Sequence, residues 1–289
     1  MYMKIQGKHF VITGGGSGLG AATAEVLVKQ GATVTLVDMN IEAGEQQAQT
    51  LGAQAEFVKL DVTDEQAAEQ FFKDVLAKHG AVYGLVNCAG IGPSAKVVGK
   101  EGVHDLAMFS KTLHINVTGT FNMLRFAADA MSKNIVAEGD EDRGVIVNTA
   151  SVAAFDGQIG QAAYSASKGA LEIITEAISM EVKNFGVNIV NVAPGDFATN
   201  IASGRYHAPL KDDSAYKIPY GNTLKMMDEH VDSGSNPDEM AFAIHKIIET
   251  SKPNVHYKVG AFMQKFSIVL KRALPDKMYE KMLMNHYKL

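Results

Sequence analysis

The chain has 289 residues, of which 46% are hydrophobic, and it carries a formal net charge of −5. Its length fits one large α/β domain, and its negative charge argues against a nucleic acid partner. A single cysteine excludes a disulfide framework and is typical of the cytoplasm, where we expect the protein. The nine histidines form no H-x-x-x-H pair or carboxylate cluster in sequence, so we expect no metal site. The chain shows neither a signal-peptide pattern nor an apolar run long enough to span a membrane.

The first predicted element is a short apolar strand near residues 9–13, followed by glycines and then by a helical pattern. Gly14, Gly18 and Gly20 form the pattern G-x-x-x-G-x-G. Glycine permits a tight turn, a close approach of the backbone to a pyrophosphate, and close contact between helix and strand. The helix N-terminus adds free N–H groups and the positive end of its dipole. This strand–glycine–helix context predicts a dinucleotide-binding loop.

The second predicted strand, near residues 33–38, ends at Asp38. A carboxylate at this position can accept hydrogen bonds from both ribose hydroxyls of NAD and would repel the 2′-phosphate of NADP. No Arg or Lys follows in D-M-N-I-E-A-G. An aspartate that merely ends a strand or caps the next helix is the ordinary alternative. We expect NAD as the cofactor, with NADP disfavoured.

The remaining strands are predicted near residues 55–60, 82–87, 144–150, 187–193 and 255–259, with helical patterns between them. Such alternation predicts an α/β fold with a parallel sheet of about seven strands and helices on both faces. We expect one domain over residues 1–289, because the chain shows no linker, repeat or low-complexity run.

The most informative residues are Ser151, Tyr164 and Lys168. Tyr164 and Lys168 are four residues apart, so a helix would place them on one face, one turn apart. An ammonium beside a phenol favours the phenolate, which allows tyrosine to exchange a proton near neutral pH. A serine hydroxyl at the preceding strand end can hold the oxygen whose proton moves. Tyr–Lys pairs are common on solvated helix faces, but together with the glycine loop this set predicts alcohol/ketone chemistry.

These elements resemble the short-chain dehydrogenase/reductase family. T-G-G-G-S-G-L-G at 13–20 matches its cofactor loop, and Asp61-Val62 resembles its adenine-contacting pair. N-C-A-G at 87–90 resembles its N-N-A-G, with Cys88 at the second Asn. I-N-V-T-G at 115–119 and P-G-D-F-A-T at 194–199 resemble two further motifs. The resemblance implies a Rossmann-type doubly wound parallel sheet.

The resemblance also implies individual roles. Asn116 would complete a catalytic tetrad with Ser151, Tyr164 and Lys168, and would position a water that links Lys168 to solvent. Thr199 would contact the nicotinamide amide, and Lys168 the nicotinamide ribose. The full set of expected cofactor-binding residues is Gly14, Ser17, Gly18, Leu19, Gly20, Asp38, Asp61, Val62, Asn87, Ala89, Gly90, Tyr164, Lys168, Pro194, Gly195 and Thr199.

Residues 1–200 most resemble the type II 3-hydroxyacyl-CoA and hydroxysteroid dehydrogenases, through V-N-C-A-G-I and the run from Ile146 to Gly169. This implies an NAD(H)-dependent enzyme that interconverts a secondary alcohol and a ketone on a hydrophobic, sometimes CoA-linked substrate. Lys96 and Lys100 would meet the coenzyme A phosphates or are solvated loop charges. The alternatives are a 3-oxoacyl-carrier, lipid or retinoid carbonyl reductase, and a non-catalytic NAD-binding scaffold or sensor. A homodimer or homotetramer is expected.

The last third of the chain departs from that subgroup. Residues 201–250 are expected to contain a substrate loop, which carries Tyr206, Tyr216 and Tyr220. A helix should then begin after Asn236, because an Asn cap followed by Pro237 is a helix-start pattern.

Residues 260–289 are expected to form a helical extension. Its predicted apolar face consists of Phe262, Phe266, Val269, Leu270 and Ala273. We expect this extension to cover the substrate pocket or to pack against another subunit, and to take no part in holding the cofactor. Contact with a membrane surface is the minority alternative.

Overall fold

The computed structural model describes residues 3–99, 102–136, 142–199, 221–222, 224 and 234–286. The strands within these ranges are β1 (His9–Thr13), β2 (Thr33–Asp38), β3 (Ala55–Lys59), β4 (Gly84–Asn87), β5 (Val98–Gly99), β6 (Gly102–Val103), β7 (Gly144–Thr149), β8 (Val187–Pro194) and β9 (His256–Val259). The α-helices are α1 (Gly18–Lys29), α2 (Ile41–Leu51), α3 (Glu65–His79), α4 (Leu106–Leu113), α5 (Thr120–Ser132), α6 (Ala162–Val182), α7 (Pro237–Ile248), α8 (Phe262–Ala273) and α9 (Asp276–His286).

Seven strands form one parallel sheet in the order β3-β2-β1-β4-β7-β8-β9. The chain runs outward from β1 to β3 and then returns to the other side of β1 with β4, so the winding reverses between β1 and β4. In such sheets the loops at the carboxyl ends of the two strands diverge and leave a crevice. The predicted fold class and the seven predicted strands are confirmed.

Helices cover both faces of the sheet. On one face, Leu27 of α1 and Ile244 of α7 belong to the same core cluster as Val34 and Val190 of the strands. On the other face, Phe71 of α3 and residues of α5 pack against alternate strand positions. The strands are therefore apolar on both sides, which explains why they appear in sequence as continuous hydrophobic runs.

The helix predicted after Asn236 is confirmed. It begins at Pro237, and the Asn236 side chain accepts a hydrogen bond from the Asp238 N–H at 2.9 Å. The long stretch after Gly92 contains the antiparallel pair β5–β6. Several predictions lie outside the described residues: the role of Lys100, most of the substrate-loop region 201–250, and its Tyr206, Tyr216 and Tyr220.

The helical extension is confirmed as α8 and α9, but its apolar face is not the one that the chain buries. Phe262, Phe266 and Val269 are exposed, with Phe262 and Phe266 stacked on each other, whereas Ile268 is 1% exposed. None of the helices in the described ranges has the length and apolarity that a membrane span needs.

Gly84 illustrates how tightly β1 and β4 approach. A Cβ at this position would overlap the ring of Phe10, which is fully buried beside it. We expect Gly84→Ala to lower the free energy of unfolding by about 1–3 kcal/mol, because the ring has no room to move. Urea unfolding measures this, with Gly157→Ala as the matched control, since a Cβ there meets nothing within 4 Å. Equal stabilities for the two variants would contradict the argument.

Candidate active site

A cavity of about 1300 Å³ lies along the carboxyl ends of the strands. It exceeds the roughly 300–1,000 Å³ that holds a typical small ligand, so it has room for a dinucleotide and a substrate together. The glycine loop after β1 lines it, as do residues of α6 and of the extension.

The glycine loop is closed by contacts that leave no space for side chains. A Cβ on Gly20 would overlap the carbonyl oxygen of Gly14, and one on Gly14 would lie 2.8 Å from the Ala89 nitrogen. Gly14 and Gly18 also have φ of 66° and 54°, which other residues rarely adopt. The glycines therefore allow α1 to start directly against the loop after β4, as a dinucleotide-binding turn requires.

The N-terminus of α1 is available to an anion. The Ser17 side chain makes no capping hydrogen bond, and the first turn carries no acidic residue. The N–H groups and the positive dipole end at this terminus therefore suit a phosphate group. Thr199 lies opposite, since a Cβ on Gly18 would touch its methyl group at 3.4 Å.

Asp38 ends β2 and lines the same cavity. One carboxylate oxygen accepts the Gly16 N–H at 3.0 Å, and the other accepts the Asn40 N–H at 3.0 Å. These two backbone bonds fix the carboxylate while leaving lone pairs on both oxygens. The group can therefore accept hydrogen bonds from the two hydroxyls of a ribose. Asp38 is not the cap of the next helix, because Asn40 is the N-cap residue of α2.

Ser151, Tyr164 and Lys168 meet in the cavity. Tyr164 and Lys168 lie one turn apart near the start of α6, and the Lys168 Nζ is 5.6 Å from the Tyr164 ring centre. Ser151 follows β7, and its hydroxyl oxygen accepts the Ala153 N–H at 3.1 Å. That bond uses the oxygen as an acceptor, so the serine hydrogen is left to donate to a substrate oxygen.

Lys168 is buried, and burial lowers its pKa from the ordinary value of 10.5 to about 8. Its Nζ donates a hydrogen bond to the Thr149 carbonyl oxygen at 2.7 Å, which holds the amine at the end of β7. Cys88 also lies in the cavity wall, and burial raises the pKa of its thiol.

Asn116 is buried in a π-helical segment, His114–Gly119, between α4 and α5. Its Oδ1 accepts the Ile91 N–H at 2.8 Å, and its Nδ2 donates to the Ile91 carbonyl and to the Ser167 hydroxyl. Both amide hydrogens are thus engaged, so a water could bind this side chain only at the second lone pair of Oδ1. A Cβ on Gly90 would lie 3.0 Å from Oδ1 and 3.8 Å from the Lys168 Nζ, so the tetrad members are neighbours.

The structure brings most of the predicted site residues to this cavity. Those that line it are Gly14, Ser17, Gly18, Leu19, Gly20, Asp38, Asp61, Val62, Ala89, Gly90, Ser151, Tyr164, Lys168, Pro194, Gly195 and Thr199. Asn116 stands behind the wall. The Asn87 side chain is buried between Thr13 and Asn148, to which it is hydrogen-bonded, and its role in cofactor binding stays a prediction.

Sequence reasoning missed several residues of the wall. Asp156, five residues after Ser151, lines the cavity, as do extension residues Gln264, Met282 and His286. Gln264 also contacts Asp196 and lies against Gly195, so the extension reaches the loop expected to hold the nicotinamide. Helical periodicity marks the apolar positions of a helix, and polar residues that turn inward give no such signal.

One His/Glu group could not be recognised from spacing in the sequence, because its members are far apart along the chain. His9 of β1, Glu56 of β3 and His79 of α3 lie together, outside the main cavity. The two imidazole rings are stacked at 3.7 Å, and both ring nitrogens of His9 are hydrogen-bonded to the hydroxyls of Thr33 and Thr35. Thr35, Lys78 and His79 donate hydrogen bonds to Glu56 and lower its pKa to about 2. This geometry favours a structural hydrogen-bond cluster over a metal site.

Comparisons with known proteins agree with this geometry. The short chain dehydrogenase family profile matches residues 8–209. The 3-hydroxyacyl-CoA dehydrogenase type-2 of Drosophila melanogaster is 46% identical, over 83% of this chain and 90% of that protein. The Homo sapiens protein of the same name is 41% identical, over 85% of this chain and 90% of its own length. A short chain dehydrogenase/reductase from Burkholderia phymatum, solved in complex with NAD, is 25% identical with a TM-score of 0.75, covering 88% of this chain and 90% of that one.

The chain belongs to the short-chain dehydrogenase family, as its motifs predicted. Within that family it stands near the 3-hydroxyacyl-CoA dehydrogenase type-2 proteins and is an oxidoreductase that acts on CH–OH groups with a nicotinamide cofactor.

The lowered pKa of Lys168 has a consequence for stability. Because the folded pKa of about 8 is below the unfolded value of 10.5, the charged lysine opposes folding below about pH 8, and this penalty fades as pH rises toward about 10.5. Between about pH 7 and about pH 9.5, we expect the free energy of unfolding of the wild type to rise by about 1–2 kcal/mol relative to that of Lys168→Met.

Urea unfolding at the two pH values measures this gain. Lys183→Met, at an exposed lysine just beyond α6, serves as the control and should show no comparable pH dependence. A stability difference between wild type and Lys168→Met that stays constant with pH would contradict the argument.

Proposed function

We propose that this protein is an NAD(H)-dependent dehydrogenase that interconverts a secondary alcohol and a ketone on an apolar substrate of the 3-hydroxyacyl-CoA or hydroxysteroid type. The observation that carries the proposal is that one cavity joins the glycine loop and Asp38 to Ser151, Tyr164 and Lys168. The names of the Drosophila and human relatives support the hydroxyacyl substrate.

The proposed proton chemistry rests on Tyr164. Its phenol exchanges the proton of the substrate hydroxyl, and the Lys168 ammonium beside it favours the phenolate. Ser151 donates a hydrogen bond to the substrate oxygen and orients it. Asn116 holds the Ile91 backbone on one side and Ser167 of α6 on the other, so it keeps the loop after β4 in register with the catalytic helix. The expected water between Lys168 and solvent stays a prediction.

NAD fits the chain's own geometry. The glycine turn and the α1 N-terminus would hold its pyrophosphate, Asp38 the adenosine ribose, and Asp61 and Val62 the adenine. When bound, NAD supplies the hydride chemistry at its nicotinamide ring. We also propose a cytoplasmic homodimer or homotetramer, which would cover exposed apolar residues of α4, α5 and α6, namely Leu106, Phe121, Ile173 and Met180.

The central role of Tyr164 is tested by Tyr164→Phe, which removes only the hydroxyl. We expect turnover to fall by a factor of about 1,000 or more, while the affinity for NAD changes only a few-fold. NADH absorbance with 3-hydroxyacyl-CoA, hydroxysteroid and simple secondary alcohols measures turnover, and calorimetry measures NAD binding. Tyr257→Phe removes a hydroxyl of β9 that accepts the Asn254 N–H and does not line the cavity, so this control should retain activity.

Two results would count against this assignment. Activity of Tyr164→Phe comparable to wild type would remove the phenol from the mechanism. Tight NAD binding by the wild type with no turnover of any alcohol would favour a non-catalytic NAD-binding scaffold instead.

Cofactor choice is tested through Asp38. NAD should raise the melting temperature of the wild type well above what an equal concentration of NADP achieves, because the ligand that binds the folded state more tightly stabilises it more. Asp38→Ser should narrow this difference, since it removes the charge that repels the 2′-phosphate. Asp74→Ser, at an exposed position on α3, is the control and should preserve the difference. Equal shifts for NAD and NADP in the wild type would refute the role of Asp38.

A further inference from the structure

The extension reaches across the cavity to two loops that carry predicted site residues. One loop follows Ser151 and contains Asp156, and the other follows Pro194 and contains Asp196. Side chains of α8 and α9 are hydrogen-bonded to both aspartates. The extension is therefore attached to the two loops between which the reacting part of a substrate would lie.

Asp156 is the more deeply enclosed of these two attachments. It is 8% exposed, and its carboxylate oxygens accept the Tyr279 hydroxyl at 2.6 Å and the Ser267 hydroxyl at 3.1 Å. Tyr279 is itself only 4% exposed, so the bond is shielded from water. Hydrogen bonds from a hydroxyl to a carboxylate are short and strong, and a shielded one is stronger than its exposed counterpart. The bond joins α9, at the far end of the chain, to the loop beside the serine.

Asp196 forms the second attachment. The Gln264 side chain of α8 donates to the Asp196 carboxylate at 2.5 Å and accepts the Asp196 N–H at 3.2 Å. Lys271, about two turns further along α8, donates to the Phe155 carbonyl next to Asp156. A helix held at both loops has a fixed position relative to the catalytic residues.

Helices α8 and α9 of the extension present four apolar side chains to the cavity, beside the polar Gln264, Ser267 and His286. Met263 and Leu270 come from α8, and Met282 and Leu283 come from α9. Methionine and leucine at a cavity wall suit a flexible apolar group, because methionine adapts its shape without a polar cost. These described wall residues can bind the substrate without contacting the dinucleotide.

We infer that α8 and α9 form a binding subsite for the apolar chain or ring system of the substrate, and that the Tyr279–Asp156 hydrogen bond sets the position of this subsite relative to Ser151. The inference rests on the proposed function and names the part of the substrate that the extension binds. Tyr279 is a positioning residue, since it acts through Asp156 and through the placement of α9.

The first test uses Tyr279→Phe, which keeps the ring and removes the hydroxyl. Kinetics are measured with 3-hydroxybutyryl-CoA, 3-hydroxydodecanoyl-CoA and a hydroxysteroid, with Tyr257→Phe as control. We expect KM for the dodecanoyl substrate to rise about tenfold, since the loss of a charge-assisted hydrogen bond releases α9 from the loop beside Ser151. KM for the butyryl substrate, kcat, and NAD affinity should change about twofold or less, because the short chain does not reach the subsite. A rise for the steroid alone would assign the subsite to a ring system.

The second test changes a side chain of the subsite and leaves the Tyr279–Asp156 hydrogen bond in place. Met282 lines the cavity, whereas Met278, one turn earlier on α9, is exposed and does not line it. We expect Met282→Ala to weaken the binding of dodecanoyl-CoA, an unreactive probe, and to raise KM for the dodecanoyl substrate. Met278→Ala should match wild type in both measurements. This pair keeps the inference testable if Tyr279→Phe does not fold.

The outcomes distinguish this inference from the proposed function. Wild type that oxidises no alcohol refutes the proposed function, while weaker dodecanoyl-CoA binding by Met282→Ala would still support the subsite. The inference alone would be overturned if the wild type is active and Tyr279→Phe, Met282→Ala and both controls all keep the wild-type preference for chain length. Absence of dodecanoyl-CoA binding in the wild type, with steroid kinetics unchanged in both variants, would overturn it as well.

Discussion

The structure depends on the close meeting of two loops, one after β1 and one after β4. Gly14 lies against the backbone of Cys88 and Ala89, and Gly20 lies against Gly14, at separations that exclude a Cβ. These contacts bring the N-terminus of α1 to the crevice where the sheet reverses its winding. They also place the loop after β4 beside Asn116 and Lys168. The same backbone contacts thus position both the cofactor region and the catalytic residues.

The catalytic helix is held from both sides by polar contacts within a mostly apolar interior. Asn116 reaches it through Ser167, and Lys168 reaches the end of β7 through the Thr149 carbonyl. Further along α6, His256 of β9 bridges Glu172 and Glu176. Burial raises the pKa of Glu172, the more enclosed of the two carboxyls. Each contact joins α6 to a different element, so the positions of Tyr164 and Lys168 are determined by long-range structure.

The sequence predicted the parts of this protein that depend on local pattern. The strands are buried on both faces, so they appear as apolar runs, and the glycine turn and the Tyr164–Lys168 spacing are short-range features. The sequence did not show that the Asn87 amide is used inside the sheet, because its partners Thr13 and Asn148 come from strands distant in sequence. The inward face of α8 was missed for a similar reason: Gln264 and Ser267 are polar, and only their partners Asp196 and Asp156 explain why they face the interior.

Gly260 lies between β9 and α8, with a φ of 133° that other residues rarely adopt. A Cβ there would press on the Gly195 nitrogen at 3.1 Å and on the Gln264 side chain at 3.2 Å. The strand pairing ends just before this glycine, and the extension begins just after it. The chain thus separates the framework for hydride transfer from a terminal segment that lies outside the sheet. New substrate preferences could then arise by changes after Gly260 alone, with the reaction itself preserved.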